Sequence, residues 1–134
     1  MVSDEFTRLW TKLSREWRTG LEEGLAPLTE GQLNVLDLLL QNQPMKPSDL
    51  LQHLATTPAA ITTLLDRMER NELIVRTRDT ADRRIVWISV SSKGKSEAQR
   101  GKEVRTKLIS EALDRISSHN QQLLVYLLGK VANR

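Results

Sequence analysis

The chain has 134 residues, of which 39% are hydrophobic and 28% charged; these proportions exclude a disordered or fibrous protein and predict one globular domain over residues 1–134. The absence of cysteine excludes disulfides, thiol redox sensing and thiolate metal sites. The formal net charge is +3, and residues 76–95 hold six basic side chains against two acidic ones. The positive excess is therefore concentrated in one short segment, which is typical of contact with phosphates.

No segment of the sequence has the features of a membrane span or a secretion signal. The apolar runs are far shorter than the ~18 residues that predict a spanning helix. Charged residues interrupt the first 13 positions, so these positions lack the apolar core of a signal peptide. We therefore expect a cytoplasmic protein.

Two helices are predicted before residue 45. The first covers about twenty residues and has an apolar stripe at helical spacing; its members are Phe6, Leu9, Trp10, Leu13, Trp17 and Leu21. We expect Gly20, Gly24 and Pro27 to end this helix. The second helix begins at Thr29, which forms a capping box with Gln32, and it ends near Pro44.

A short third helix and a longer fourth helix follow. Pro47 suits the first position of the third helix, although Lys46 before it offers no capping side chain. Thr57 and Pro58 begin the fourth helix. Its buried face has the spacing i, i+3, i+4, i+7 and consists of Ile61, Leu64, Leu65 and Met68. We expect Asn71 to end it in a left-handed conformation.

The second half of the chain is predicted to contain a β-hairpin and two helices. Residues 73–78 and 85–90 are rich in β-branched side chains and predict two strands, with the polar loop 79–84 between them. Ser91 caps a fifth helix that runs to Ile116, and Ser118 caps a sixth helix in a capping box with Gln121.

The order of these elements predicts a winged helix-turn-helix over residues 29–90. Two helices joined by a tight turn place the second in the major groove of DNA, and a hairpin directly after it forms the wing. The fold class is therefore mainly α with a small β-hairpin wing, flanked by helices at both chain ends.

The start of the fourth helix is predicted to lie against DNA. Its outward side chains are small, which permits close approach to base edges; alanine and threonine methyl groups pack on thymine methyl groups, and hydroxyls bond bases or phosphates. The candidate DNA contacts on this helix are Thr57, Pro58, Ala59, Ala60, Thr62, Thr63 and Arg67.

The wing supplies a second group of candidate DNA contacts. Arg84 suits a narrow minor groove, where the potential is strongly negative, and Asp82 is placed to hold its guanidinium. The alternative is an exposed ion pair in an ordinary turn, but the preceding helix pair favours the minor-groove interpretation. We add Arg83 and Arg76 as candidate contacts because both are basic residues of the hairpin.

Several motifs make the chain similar to the MarR (multiple antibiotic resistance regulator) family. The matching segments are 48–54, 57–69, 73–76, 90–94 and above all Asp79-Thr80-Ala81-Asp82-Arg83-Arg84. The resemblance covers essentially the whole chain and implies a homodimer in which the first and last helices interlock, so 1–24 and 91–134 become a helical dimerisation region. It also implies a recognition helix from Thr57 to Arg70 and a wing whose Asp82 and Arg84 match the family's Asp-x-Arg pair.

The chain departs from the family pattern at a few positions. Ala55 and Asn71 replace glycines, and Val90-Ser91 replaces a Leu-Thr pair. The segment 58–60 is poor in hydrogen-bonding side chains, so direct base readout rests on Thr62 and Thr63. Shape readout by the wing is expected to carry a larger part of recognition.

We therefore predict a sequence-specific regulator of transcription that binds double-stranded DNA as a homodimer on a pseudo-palindromic operator. A repressor is favoured, and the sequence leaves an activator open. The half-sites are expected about one helical turn, ~34 Å, apart. The resemblance leaves open a small-molecule effector that binds between the dimerisation helices and the DNA-binding lobe. The alternative is an interaction or antirepressor protein that keeps the winged-helix dimer without binding DNA.

Other functional classes have little support in the sequence. No nucleophile with a base, carboxylate pair or phosphate-binding glycine loop occurs at a credible spacing, so we predict no enzymatic activity and no cofactor. The two histidines, His53 and His119, lack metal-ligand spacing. Trp10 and Trp17 could stack an aromatic ligand, but such residues in an amphipathic stripe more often pack against a partner helix.

Overall fold

The computed structural model describes residues 1–133, and the predicted fold class and order of elements are confirmed. Within these residues there are six helices and one antiparallel pair of strands. They are α1 (Val2–Leu25), α2 (Glu30–Asn42), α3 (Pro47–His53), α4 (Pro58–Arg70), β1 (Ile74–Arg78), β2 (Val86–Val90), α5 (Ser92–Leu113) and α6 (Ser118–Val131).

One continuous hydrophobic core lies between the end of α1, the helices α2 to α4, the hairpin and the first half of α5. Helix α2 is at its centre, because Leu33, Leu36 and Leu39 are completely buried. The capping box at Thr29 is present: its hydroxyl accepts from the Gln32 N–H at 3.1 Å, and Gln32 Oε1 accepts from the Thr29 N–H at 3.2 Å. The cap fixes the start of α2 and satisfies a buried polar side chain.

The hairpin is joined to the rest of the fold by a third extended segment that the sequence analysis did not anticipate. β1 and β2 pair from Ile74 opposite Val90 to Arg78 opposite Val86. On the other side of β2, Ile88 exchanges two main-chain hydrogen bonds with Met45, at 2.7 and 3.0 Å. The segment between α2 and α3 therefore ties the wing to the helix-turn-helix.

The first helix ends just before Pro27, as predicted, but the prediction that Gly20 and Gly24 end it is wrong. Helix α1 continues through Gly20 and Gly24 to Leu25. A side chain at Gly20 would meet Leu108 of α5, and one at Gly24 would meet Val104. These glycines therefore serve close packing of α1 on α5 instead of breaking the helix.

The recognition helix ends at Arg70 as predicted, but the left-handed residue that follows it is one position later than expected. Asn71 has φ −82°, whereas Glu72 has φ 63°. The Glu72 N–H donates to Glu69 O and the Leu73 N–H donates to Met68 O, both at 2.9 Å. This is the Schellman pattern, in which the left-handed residue is the first one beyond the cap, and Glu72 occupies that position.

The caps of the other helices are mostly as predicted. Thr57 caps α4 and Ser91 caps α5, each accepting from the main-chain N–H three residues later. The cap of α6 is Ser117, which accepts from the Asn120 N–H at 3.2 Å, so the predicted cap at Ser118 is wrong. Helix α5 ends at Leu113, three residues before the predicted end.

The two ends of the chain leave large apolar side chains exposed. None of the residues of α6 is buried, and the N-terminal half of α1 exposes most of its predicted stripe. The side chains concerned in α1 are Phe6, Leu9, Trp10 and Leu13, and those in α6 are Leu123, Leu124, Val125, Tyr126, Leu127, Leu128 and Val131. Over residues 1–133, the helices are too short or too polar to cross a membrane.

Candidate nucleic-acid interface

One face of helix α4 packs against the core, and the opposite face is exposed to solvent. Ile61, Leu65 and Met68 are at most 2% exposed. At its start, Thr57 Oγ1 accepts from the Ala60 N–H at 3.2 Å, and Pro58 occupies the first helical turn. The cap and the proline define where the helix begins, and with the buried face they fix which side chains point outward.

The outward face near the start of α4 carries only short side chains. Ala59, Ala60, Thr62 and Thr63 are all exposed, as expected. The Thr62 hydroxyl donates to Pro58 O at 3.0 Å, and the Thr63 hydroxyl donates to Ala59 O at 3.2 Å. Because a hydroxyl has one proton, both threonines use their donor within the helix.

Arg67 lies one turn beyond Thr63 on the same exposed face. Its side chain has no ion-pair partner among residues 1–133. A shallow depression, lined mostly by apolar atoms, runs beside this face and is bordered by Ala59, Ala60, Thr63 and Arg67. The face therefore combines an apolar surface with one free guanidinium at its far end.

The tip of the wing is organised by Asp79, which the sequence analysis did not single out. Its Oδ2 accepts from the main-chain N–H groups of Ala81 and Asp82 at 3.0 and 2.8 Å, and its Oδ1 accepts from the Trp87 indole at 3.1 Å. The indole is the largest cause that lowers the pKa of Asp79. The sequence signal was an aspartate at the start of a hairpin loop, where its side chain bonds the main chain two residues on.

Asp82 holds Arg84 at the wing tip in a two-point contact. Asp82 Oδ1 accepts from Arg84 Nε at 3.0 Å and Oδ2 accepts from Nη2 at 3.1 Å, while the Arg84 side chain is 90% exposed. Arg84 lowers the pKa of Asp82, and Asp82 raises the pKa of Arg84. Asp82 therefore stays ionised through the neutral range, and the pair is lost only as the pH falls through its lowered pKa.

Arg76 differs from the other candidate contacts because it is bound within the protein. Its Nη1 donates to Asp66 at 2.8 Å and to Glu69 at 3.1 Å, and its side chain is 25% exposed. Asp66 and Glu69 lie on α4, whereas Arg76 lies on β1. In this geometry Arg76 links the recognition helix to the wing, and contact with DNA stays a prediction.

Two further basic residues of this region form hydrogen bonds to main-chain carbonyls next to or within the hairpin. Lys93 Nζ donates to the Asn71 carbonyl at 2.9 Å, at the end of α4, and Arg78 Nη1 donates to the Arg83 carbonyl at 2.8 Å across the wing loop. The Arg83 side chain itself is exposed. The basic composition of this segment had suggested phosphate contacts for all its cations. Only the three-dimensional structure separates the cations that bond main-chain carbonyls from those that do not.

The eleven candidate DNA contacts therefore fall into two exposed groups and one link. Thr57, Pro58, Ala59, Ala60, Thr62, Thr63 and Arg67 share the start and outer face of α4. The residues at the wing tip are Asp82, Arg83 and Arg84, and Arg76 connects the wing to α4. Among residues 1–133, no three histidine, aspartate or glutamate side chains cluster in a way that could hold a metal ion.

This geometry has the parts of a winged helix-turn-helix, and comparison with known families gives the same result. The model of the MarR family matches residues 28–86, which run from the end of α1 to the second wing strand. Residues 28–86 carry a MarR family domain. The resemblance found in the sequence is confirmed over these residues, and relatives of the chain are named as transcriptional regulators.

Individual relatives extend this similarity beyond the matched domain. The chain is 29% identical over 98 residues to YwhA of Bacillus subtilis, an uncharacterised HTH-type transcriptional regulator, with 73% of this chain and 70% of the relative covered. It is 26% identical over 125 residues to the HTH-type transcriptional repressor MdtR of the same species, with 92% and 79% covered.

One solved structure that resembles this chain contains operator DNA. A MarR mutant from Escherichia coli in complex with operator DNA is 25% identical to the chain and superposes with a TM-score of 0.74, over 95% of this chain and 93% of that one. Nearly the whole chain is therefore shared, including α1, α5 and α6.

Proposed function

We propose that the protein is a homodimeric transcriptional repressor that binds a pseudo-palindromic operator in double-stranded DNA. Each copy places the start of α4 in the major groove and the wing tip in the adjacent minor groove. The observation that carries the proposal is the pairing of a capped, exposed helix face with an exposed arginine at the wing tip. Arg84 is 90% exposed and is held by Asp82 through two of its nitrogens.

The contacts that join α4 and the segment before α3 to the wing support simultaneous binding in both grooves. Arg76 joins β1 to Asp66 and Glu69 of α4, and Met45 joins β2 to the segment before α3. These bonds hold the wing at a fixed position relative to α4. A rigid pair of contact elements requires little ordering on binding, which favours affinity.

The exposed apolar side chains of α1 and α6 support the homodimer. A helix that is apolar on most sides is normally buried, yet the leucines of α6 named above are between 38% and 49% exposed. Large contiguous apolar surfaces mark protein interfaces. A second copy has the same exposed side chains. A two-fold symmetric interface would therefore bury the apolar side chains of α1 and α6 of both copies.

The repressor role rests on the relatives. MdtR is named as a repressor and the structural neighbour is bound to operator DNA, and we extend both properties to this chain. A two-fold dimer carries two recognition helices, so we infer half-sites about one helical turn, ~34 Å, apart.

We include in the proposal a small-molecule effector that acts at the junction of α5 with α1 and α2. Arg100 of α5 donates to the carbonyls of Gly24 and Leu25, and Arg105 of α5 donates to Asp37 and Asn34 of α2. A ligand that binds one arrangement of this junction better than another would shift the spacing of the two recognition helices.

Selection from a pool of random duplexes at low salt tests the proposal. We expect enrichment of a two-fold symmetric site, and the enriched site should bind more tightly than a scrambled duplex of the same composition. A pool without any enriched symmetric site would contradict the proposal. If the protein binds another protein with an affinity that Arg84→Ala leaves unchanged, and does not bind DNA, the antirepressor alternative is supported instead.

A further inference from the structure

Beyond its cap at Thr57, the start of the recognition helix offers DNA an apolar surface on which no side-chain donor is free as far as Thr63. Among its outward residues, Pro58, Ala59 and Ala60 have no hydrogen-bonding side chain. The protons of Thr62 and Thr63 are donated to Pro58 O and Ala59 O. Each threonine oxygen retains only acceptor capacity, and its methyl group remains available for apolar contact.

The chemistry of the major groove identifies what such a surface can read. Thymine is the one base that presents an apolar group there, its C5-methyl, whereas guanine presents acceptors that need a donor. Beyond the Thr57 cap, the first free donor along this face is Arg67, one turn beyond Thr63. The face therefore matches a thymine in the centre of the contact and an acceptor, from guanine or phosphate, at its end.

We propose that the protein selects thymine through its C5-methyl group, which packs on the Thr63 methyl between Ala59 and Ala60, and that the Thr63 hydroxyl takes no part in base readout. This inference rests on the proposed function and specifies how α4 discriminates between sequences. Thr63 is placed at the centre because it borders the apolar depression together with both alanines and Arg67.

Two substitutions at one position separate methyl readout from hydroxyl readout. Thr63→Ser keeps the hydroxyl and removes the methyl, whereas Thr63→Val keeps a methyl and removes the hydroxyl. Position 63 is exposed, so both variants are expected to fold, and a thermal unfolding curve checks this. Thr106→Ser is the matched control, because it makes the same change at an exposed position of α5 outside the proposed DNA contact.

The DNA is varied at the same time, using the site enriched by selection. Each thymine of one half-site is replaced in turn by deoxyuridine, which removes only the methyl group and preserves base pairing. At one position we expect the affinity to fall about fourfold, the effect of one buried methyl, and deoxyuridine in the flanks should have no effect. That penalty should persist in Thr63→Val and disappear in Thr63→Ser.

The outcomes distinguish this inference from the proposed function beneath it. If a symmetric site is enriched but deoxyuridine costs no affinity at any position, the methyl readout is wrong and the repressor proposal stands. A penalty that disappears in Thr63→Val and persists in Thr63→Ser would assign readout to the hydroxyl and also overturn the inference. If no site is enriched, the proposed function itself fails.

Discussion

The winged lobe (residues 29–90) and the terminal helices (α1, α5 and α6) are built from the same kinds of residue but complete their packing differently. In the winged lobe, Leu33, Leu36 and Leu39 have no exposed surface. In α6, Leu124 and Leu127 remain 38% and 49% exposed. One chain is therefore enough to form the core of the winged lobe. The exposed apolar side chains of the terminal helices, in contrast, are not covered by other described residues of the same chain.

This difference supports the two roles proposed for the two regions of the chain. The winged lobe has a rigid exposed surface whose polar groups are arranged by the Asp79, Asp82 and Arg76 contacts. The terminal helices have an apolar surface without such ordering, which suits association between copies. The predictions below change one region at a time.

The largest effect is expected from a charge in the apolar surface of α6. Leu127→Glu should convert the dimer to monomer, with a dissociation constant raised roughly 100-fold or more, because each copy would bury an unpaired carboxylate. Analytical ultracentrifugation measures the change. Gln122→Glu, which adds the same charge to an exposed polar position of α6, is the control. A dimer that persists in Leu127→Glu would show that α6 is not the interface.

The next largest effect is expected in the core of the winged lobe. Leu36→Ala should lower the free energy of unfolding by about 2–5 kcal/mol, because a completely buried side chain is replaced by a cavity. Chemical denaturation at matched protein concentration measures it. Under native conditions the variant should still be a dimer, and loss of the dimer without loss of stability would mean that the two regions are not independent.

A smaller effect is expected at the wing tip. Arg84→Ala should weaken operator binding about tenfold and reduce its dependence on salt, because one cation no longer displaces counterions. Fluorescence anisotropy over a range of salt concentrations measures both. Lys102→Ala, which removes one charge from the exposed face of α5, should change neither. Equal effects of the two substitutions would place the wing outside the DNA contact.

The smallest effect is expected at the end of α4. Glu72→Gly should raise the free energy of unfolding by about 1 kcal/mol, because a side chain at a positive φ is removed. Asn71→Gly should not stabilise the protein, since Asn71 has φ −82°. Thermal unfolding of the two variants compares them, and the reverse order would contradict the observed helix end.

The sequence predicted the parts of the fold that local chemistry determines. Thr29, Thr57 and Ser91 cap helices where their short polar side chains indicated it. Two adjacent serines made the cap of α6 ambiguous, and Ser117 is the one that acts. At the end of α4, the same kind of local reasoning chose Asn71 for its intrinsic preference, although the hydrogen bonds place Glu72 at the left-handed position.

Features that depend on contacts between distant segments could not be predicted from the sequence. Gly20 and Gly24 were read as helix breakers, but their role is set by Leu108 and Val104, more than 75 residues away. Likewise, Arg76 was grouped with the wing cations on charge alone. Its two carboxylate partners lie on a different element, and composition gives no means of pairing them.

The central claim is that the terminal helices form the dimer and the winged lobe binds DNA. The most direct test of this account is to alter the spacing between the half-sites of the selected operator. If the terminal helices hold two winged lobes at a fixed separation, an insertion of half a helical turn, about five base pairs, should place the second half-site on the opposite side of the duplex. The account predicts that affinity then falls toward that of a scrambled duplex. Unchanged affinity after the insertion would contradict it.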